Sequence, residues 1–260
     1  MNILEEIAEK TLERITEKAK EIPLSEVRDI AEKLPVNEDF PFEKALSGGE
    51  ISFICEVKRA SPSKGIIAEN FPYREIARDY ENAGAAAISC LTEPFWFKGS
   101  DAILREISSD VKIPVLRKDF TVSEYMIYEA KILGASAVLL ISSILTEKKL
   151  REYLETARGL GLSALVECRG EDEINTAVSV GARIIGVNNR DLRDFTVDFG
   201  KSARLRKLVP EDRIFVAESG ITTADDVQRL REIGANAALV GETLMRAADK
   251  AAALRELRGF

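Results

Sequence analysis

Apolar residues fall into two alternating rhythms along this chain. From Ile51 onward, short apolar runs of strand length alternate with longer stretches whose apolar positions recur at helical spacing. The strand candidates are 51–57, 86–91, 113–117, 137–141, 163–167, 184–188, 213–217 and 237–240. Between them, Leu150, Tyr153, Leu154 and Ala157 form a helical stripe closed by Gly159. Val227 and Leu230 form another that runs to Gly234, with Thr223 and Asp226 placed as a capping box. Eight strands alternating with helices over about 200 residues predict an α/β protein, a (β/α)8 TIM barrel. Gly-Ala pairs at 84–85, 134–135, 181–182 and 234–235 recur about every fifty residues, the length of two βα units, each before an even-numbered strand. Each is also an ordinary helix C-terminal glycine. A doubly wound open sheet is the other arrangement of such elements. It usually carries a Gly-rich fingerprint after its first strand, and no GxGxxG occurs here.

Ahead of the barrel, Leu4, Ile7, Ala8, Leu12, Ile15 and Ala19 have helical spacing, and Val27, Ile30, Ala31 and Leu34 repeat it after Pro23. An apolar stripe needs a surface to cover, so residues 1–48 are expected to be a helical extension capping the barrel proper, 49–260, within one domain.

Composition narrows the function. A net charge of −7 over 260 residues disfavours nucleic acid or an anionic membrane as the partner. Cys55, Cys90 and Cys168 lack CxxC spacing and lie in apolar runs, which reads as buried thiols in a reducing compartment. No signal-peptide pattern or long apolar span is seen, so a cytoplasmic location is expected. The sequence contains no histidine, so proton transfer falls to Lys, Glu, Asp, Tyr or Cys.

Side chains alternate faces along a strand, and barrel active sites sit at the C-terminal strand ends. The odd strands end Glu56-Val57-Lys58, Leu116-Arg117-Lys118, Leu165-Val166-Glu167 and Val216-Ala217-Glu218. Parity therefore points Lys58, Lys118, Glu167 and Glu218 to one layer, with Glu56 beneath. A buried ion network is the structural alternative for any one of these residues. Five ionisable groups at one mouth are expensive to desolvate, which favours a catalytic use. The sixth strand adds Asn188 on the inward face and Arg190 as a cation for a carboxylate or phosphate, while Asn189 and Asp191 read as loop turn chemistry. The loops Glu218-Ser219-Gly220-Ile221-Thr222 and Leu239-Val240-Gly241-Glu242-Thr243 follow the strands after which barrels often bind phosphate. Their glycines allow backbone N–H groups to approach an anion, and a helix is expected from Thr243. Ser61 adds a hydroxyl. Phe95, Trp96 and Phe97, with Phe120 and Leu139, suggest a mixture of rim packing and an apolar wall for an aromatic substrate.

Taken together, the chain resembles the indole-3-glycerol phosphate synthase family. The resemblance is carried by Glu56-Val57-Lys58-Arg59-Ala60-Ser61-Pro62-Ser63-Lys64-Gly65, Leu91-Thr92-Glu93, Arg117-Lys118-Asp119-Phe120, Leu165-Val166-Glu167, Gly186-Val187-Asn188-Asn189-Arg190-Asp191-Leu192, Ala217-Glu218-Ser219-Gly220-Ile221 and Val240-Gly241-Glu242. It implies ring closure, decarboxylation and dehydration of 1-(2-carboxyphenylamino)-1-deoxyribulose 5-phosphate, a step of tryptophan biosynthesis. It implies Lys118 as general acid, Glu167 and Lys58 in the dehydration, Glu56 and Glu218 as orienting and hydroxyl-binding groups, and Asn188 in contact with substrate. Arg190 would hold the anthranilate carboxylate. Ser61, Ser219, Gly220, Gly241 and Glu242 would surround the phosphate or nearby polar groups, and Phe97, Phe120 and Leu139 would line the ring pocket. No cofactor, no metal and a monomer are expected. A sugar-phosphate isomerase on a related barrel is the alternative activity, and a Schiff-base aldolase using Lys58 or Lys118 is a third.

Overall fold

The structure is a computed structural model that describes residues 2–191 and 195–259. Leu192 of the sixth-strand motif lies outside the described residues.

Eight parallel strands close into a barrel. They are β1 Ser52–Val57, β2 Ala87–Leu91, β3 Val115–Lys118, β4 Ala137–Ile141, β5 Ser163–Cys168, β6 Ile184–Asn188, β7 Ile214–Glu218 and β8 Ala237–Val240. Each pairs with its neighbours in sequence, and β1 closes the ring by pairing Ser52–Cys55 with Ala237–Val240. The observed strands match the expected ones to within two residues at each end. The period-two pattern splits their side chains into two separate cores. Ile54, Ala87, Leu116, Leu139, Leu165, Ile184, Val216 and Leu239 fill the barrel. Phe53, Cys55, Ile88, Val138, Val166, Ile185, Phe215 and Ala238 face the surrounding helices. Gly84, Gly134, Gly181 and Gly234 hold positive φ angles of 72–85°. A left-handed residue stops each helix and turns the chain into an even-numbered strand at no Cβ cost.

The N-terminal segment folds as three helices, α1 Ile3–Glu21, α2 Leu24–Glu32 and α3 Pro41–Leu46. Helix α1 opens on a capping box in which the Asn2 side chain accepts from Glu5 N and Glu5 answers to Asn2 N. It buries Leu4, Ile7, Thr11 and Ile15. Leu12, expected in the stripe, is 50% exposed. The 4-7-11-15 spacing is the one that keeps to a single face, so Thr11 takes the inner position. Ile30 of α2 is likewise turned outward while Val27 and Ala31 are buried. Leu4 and Ile7 pack with Trp96, Phe97 and Ile144, which follow β2 and β4, so α1 lies across the rim of the mouth.

Helix α3 does the opposite job and is absent from the sequence reading. Phe42 and Leu46, both fully buried, join the inner core from the N-terminal end of the barrel. Glu43 pairs with Arg183 at 2.8 Å, and Ser52 Oγ donates to Ala45 O at 3.1 Å, which fixes the plug beneath β6 and β1. Phe42→Ala is expected to destabilise the protein by about 3–5 kcal/mol through the lost burial and the cavity left behind. Urea unfolding checks this, and an unchanged midpoint would contradict a plugging role for Phe42.

Candidate active site

The C-terminal strand ends surround a cavity of about 620 Å³. All the expected site residues line it: Glu56, Lys58, Ser61, Phe97, Lys118, Phe120, Leu139, Glu167, Asn188, Arg190, Glu218, Ser219, Gly220, Gly241 and Glu242.

Its floor is a ring of charge set by strand parity. Lys118, at the end of β3, places Nζ 3.5 Å from Glu167 Oε2 on β5 and 3.6 Å from Glu218 Oε2 on β7. Asn188 Nδ2 donates to Glu167 Oε1 at 3.3 Å. On the other side of the ring, Lys58 Nζ donates to Glu56 Oε1 at 2.5 Å, and Ser89 Oγ donates to Glu56 Oε2 at 3.4 Å. Two small residues make the room. A Cβ at Gly186 would collide with the Glu218 carboxylate, and one at Gly241 would collide with Glu56.

The electrostatics of the ring follow from burial. Burial pulls the Lys118 ammonium down, but Glu167, Glu218 and Glu56 together outweigh it and hold the group above its ordinary value. Burial would raise Glu56, yet Lys58 and Lys118 keep its carboxyl below the usual range. Glu218 goes the other way. Burial first and Glu167 next push it from 4.5 to about 8, against the pull of Lys118. Neither oxygen of Glu218 has a hydrogen-bond partner among the described residues. At neutral pH the ring therefore holds a charged lysine beside a proton-bearing carboxyl, which is the pairing that acid–base work requires.

Behind Lys118, its two chain neighbours point outward into a buried ionic network. Arg117 donates to Asp101 and Glu129 at 2.7 Å each, and to Met126 O at 3.0 Å. Asp119 accepts from Thr92 Oγ at 2.6 Å and pairs with Arg14 of α1 at 3.1 Å. Lys18 of α1 pairs with Asp101 at 2.7 Å and also with Glu129. The N-terminal helix is thus tied to the strand end that carries Lys118. Sequence parity puts Arg117 and Asp119 on the outer face, but their partners lie on other elements and leave no local signal.

The wall on the β2–β4 side is apolar. The rings of Phe97 and Phe120 stand 6.1 Å apart, and Leu139 rises from β4. Phe95 is largely exposed, so the run of three aromatics divides between rim and pocket. The wall on the β6–β8 side is polar and cationic. Ser219 and Gly220 both have positive φ angles, 67° and 78°. Asn189 clamps this turn, donating from its backbone N to Glu218 O at 2.9 Å and from Nδ2 to Ser219 O at 3.0 Å. Its Oδ1 accepts from Ser202 Oγ at 2.8 Å, so Asn189 is structural, as expected. The Glu242 carboxylate lies among three cations: Arg246 at 3.2 Å, Arg190 at 3.6 Å and Lys64 at 3.8 Å. The helix expected from Thr243 begins one residue earlier, at Glu242, and is only five residues long. Among the described residues, no group of three or more His, Cys, Asp and Glu side chains is arranged to hold a metal ion. Cys55, Cys90 and Cys168 are buried free thiols, pushed above their ordinary value by burial.

Fold and site together define a (β/α)8-barrel protein with an acid–base floor, one apolar wall and one cationic wall. Comparison with known proteins narrows this class. The sequence model of the indole-3-glycerol phosphate synthase family matches residues 4–257. Indole-3-glycerol phosphate synthase of Ruminiclostridium cellulolyticum is 55% identical over 257 residues, 99% of each chain. That of Leuconostoc mesenteroides is 50% identical over 259 residues, again 99% of each chain. Among solved structures, 3-hexulose-6-phosphate synthase aligns with a TM-score of 0.65 at 17% identity, covering 80% of this chain and 99% of that one, a likeness of fold alone. The chain belongs to the indole-3-glycerol phosphate synthase family.

The raised Glu218 has a thermodynamic consequence. The native state keeps a proton that the unfolded chain releases above 4.5, so Glu218 contributes stability at low pH and loses it as pH rises towards about 8. Glu218→Gln keeps the neutral form at every pH. Relative to this variant, the wild type is expected to lose stability between about pH 5 and about pH 8, read as urea midpoints. Parallel pH profiles would refute the shift.

Proposed function

We propose that this protein converts 1-(2-carboxyphenylamino)-1-deoxyribulose 5-phosphate to indole-3-glycerol phosphate, carbon dioxide and water, as a carboxy-lyase of tryptophan biosynthesis. The family match supports the reaction. The observation that carries the mechanism is Lys118 held between Glu167 and Glu218 at the cavity floor.

The ring carbon that bears the carboxylate attacks the ribulose carbonyl. Negative charge develops on the carbonyl oxygen, and a charged lysine beside it stabilises and protonates it. Lys118 is that acid. Loss of carbon dioxide returns electrons to the ring system, and the new hydroxyl must then leave as water. Lys58 and Glu167 serve this dehydration together, protonating the departing hydroxyl and removing the proton whose loss restores aromaticity. Glu56 orients Lys58, Glu218 orients Lys118 and binds the intermediate hydroxyl, and Asn188 holds Glu167 and touches substrate. The ring lies on Phe97, Phe120 and Leu139. The phosphate lies on the Ser61 and Ser219 hydroxyls and on the backbone N–H groups of Gly220, Gly241 and Glu242. Arg190, whose guanidinium lies 3.6 Å from the Glu242 carboxylate, takes the ring carboxylate.

No cofactor or metal enters this scheme, since each proton and charge has a side chain assigned to it. No helix among the described residues is long and apolar enough to cross a membrane. We place the reaction in the cytoplasm, with extension and barrel acting as one domain of a monomer. Lys118→Ala is expected to keep its circular dichroism while turnover falls by about 100- to 10,000-fold. Turnover near that of the wild type would contradict the assignment.

A further inference from the structure

Glu93 has no part in the scheme above, yet it is fully buried directly after β2. A carboxylate in that position is costly unless its lone pairs are used. Here they are taken up by three consecutive backbone donors. Phe95 N donates to Oε1 at 2.8 Å, and Trp96 N and Phe97 N donate to Oε2 at 2.7 and 3.0 Å. Glu93 O closes the loop by accepting from Gly99 N at 2.9 Å. A Cβ at Gly99 would collide with the backbone of Leu91, so the loop is folded tightly onto the end of its own strand.

Two site features hang on this loop. The Phe97 ring is one half of the apolar wall, 6.1 Å from Phe120. The Phe97 carbonyl accepts from Ala60 N at 3.2 Å, which joins it to the segment between Lys58 and Ser61. We propose that Glu93 is a positioning residue that holds Phe97 as the ring-binding wall and so sets recognition of the substrate's aromatic half. The inference rests on the proposed reaction for its substrate, but the loop geometry does not.

Glu93→Gln is the informative change. An amide has one acceptor oxygen, and its NH2 group would face backbone donors with a donor. The variant is expected to raise KM by about 10- to 100-fold with a smaller change in kcat, the signature of a misplaced binding wall rather than lost chemistry. If Glu93 acts through Phe97, the double variant Glu93→Gln/Phe97→Leu has the KM of Phe97→Leu alone. Multiplying effects, or a KM left unchanged by Glu93→Gln, would overturn the proposal. Two readouts stand apart from turnover. Trp96 is the only tryptophan of the chain, so red-shifted and more quenchable emission in Glu93→Gln reports a released loop. In the wild type the amides of Phe95, Trp96 and Phe97 are expected to exchange slowly with solvent deuterium. Fast exchange there overturns the proposal even if the variant fails to fold. Wild-type protein that lacks turnover but shows slow exchange would instead count against the reaction.

Discussion

The site depends on keeping Lys118 charged where the side chain is largely taken out of water at the cavity floor. Removing an ammonium from water is expensive, and only close opposite charge makes it tolerable. Glu167 on β5 and Glu56 on β1 supply that charge, and the closed ring brings the Glu218 carboxyl of β7 beside Lys118 from the opposite side. The arrangement has a built-in asymmetry. Three carboxyl groups share the floor with two lysines, and the surplus proton settles on Glu218, the carboxyl that burial raises, which has no hydrogen-bond donor among the described residues. A lysine that stays charged beside a carboxyl that keeps its proton therefore arises from burial and counting of charge, with no histidine in the sequence.

A single strand carries this device and its foundation. Parity turns Lys118 into the barrel and turns Arg117 and Asp119 out of it. On the outside, Arg14, Lys18 and Arg117 face Asp101, Asp119 and Glu129. Three positive charges meet three negative ones, so the network is neutral as a whole. Removing one member would strand the others, which makes the position of the β3 end stiff. The same contacts dock α1 across the rim, while α3 seals the other end with Phe42 and Leu46. The N-terminal helices are thus part of how the mouth and the floor are held.

Much of this was legible in the sequence because it depends on local periods. Alternation by two placed Ile54 with Glu56, Leu116 with Lys118, Leu165 with Glu167 and Val216 with Glu218, and each pair faces inward as expected. The Gly-Ala recurrence marked the turns into the even strands. What escaped is what depends on distant partners. Helix α3 is six residues long, and its role is fixed by the open barrel end it meets rather than by any pattern of its own. Leu12 fitted a helical stripe but sits on the solvent side, because Thr11 falls in line with Leu4, Ile7 and Ile15. Arg117 has its carboxylate partners on two helices, and Glu93 bonds only to backbone. The sequence places Glu242 in a loop suited to phosphate but carries no local signal that its carboxylate gathers among Lys64, Arg190 and Arg246.

The central claim is that the charged floor alone carries out ring closure and dehydration. The most direct measurement is indole fluorescence after adding 1-(2-carboxyphenylamino)-1-deoxyribulose 5-phosphate to purified, metal-stripped protein with a chelator present. A rise in indole emission at a rate undiminished by the chelator is the predicted result. No rise from protein shown to be folded, or a rise that appears only when metal is restored, would contradict the account.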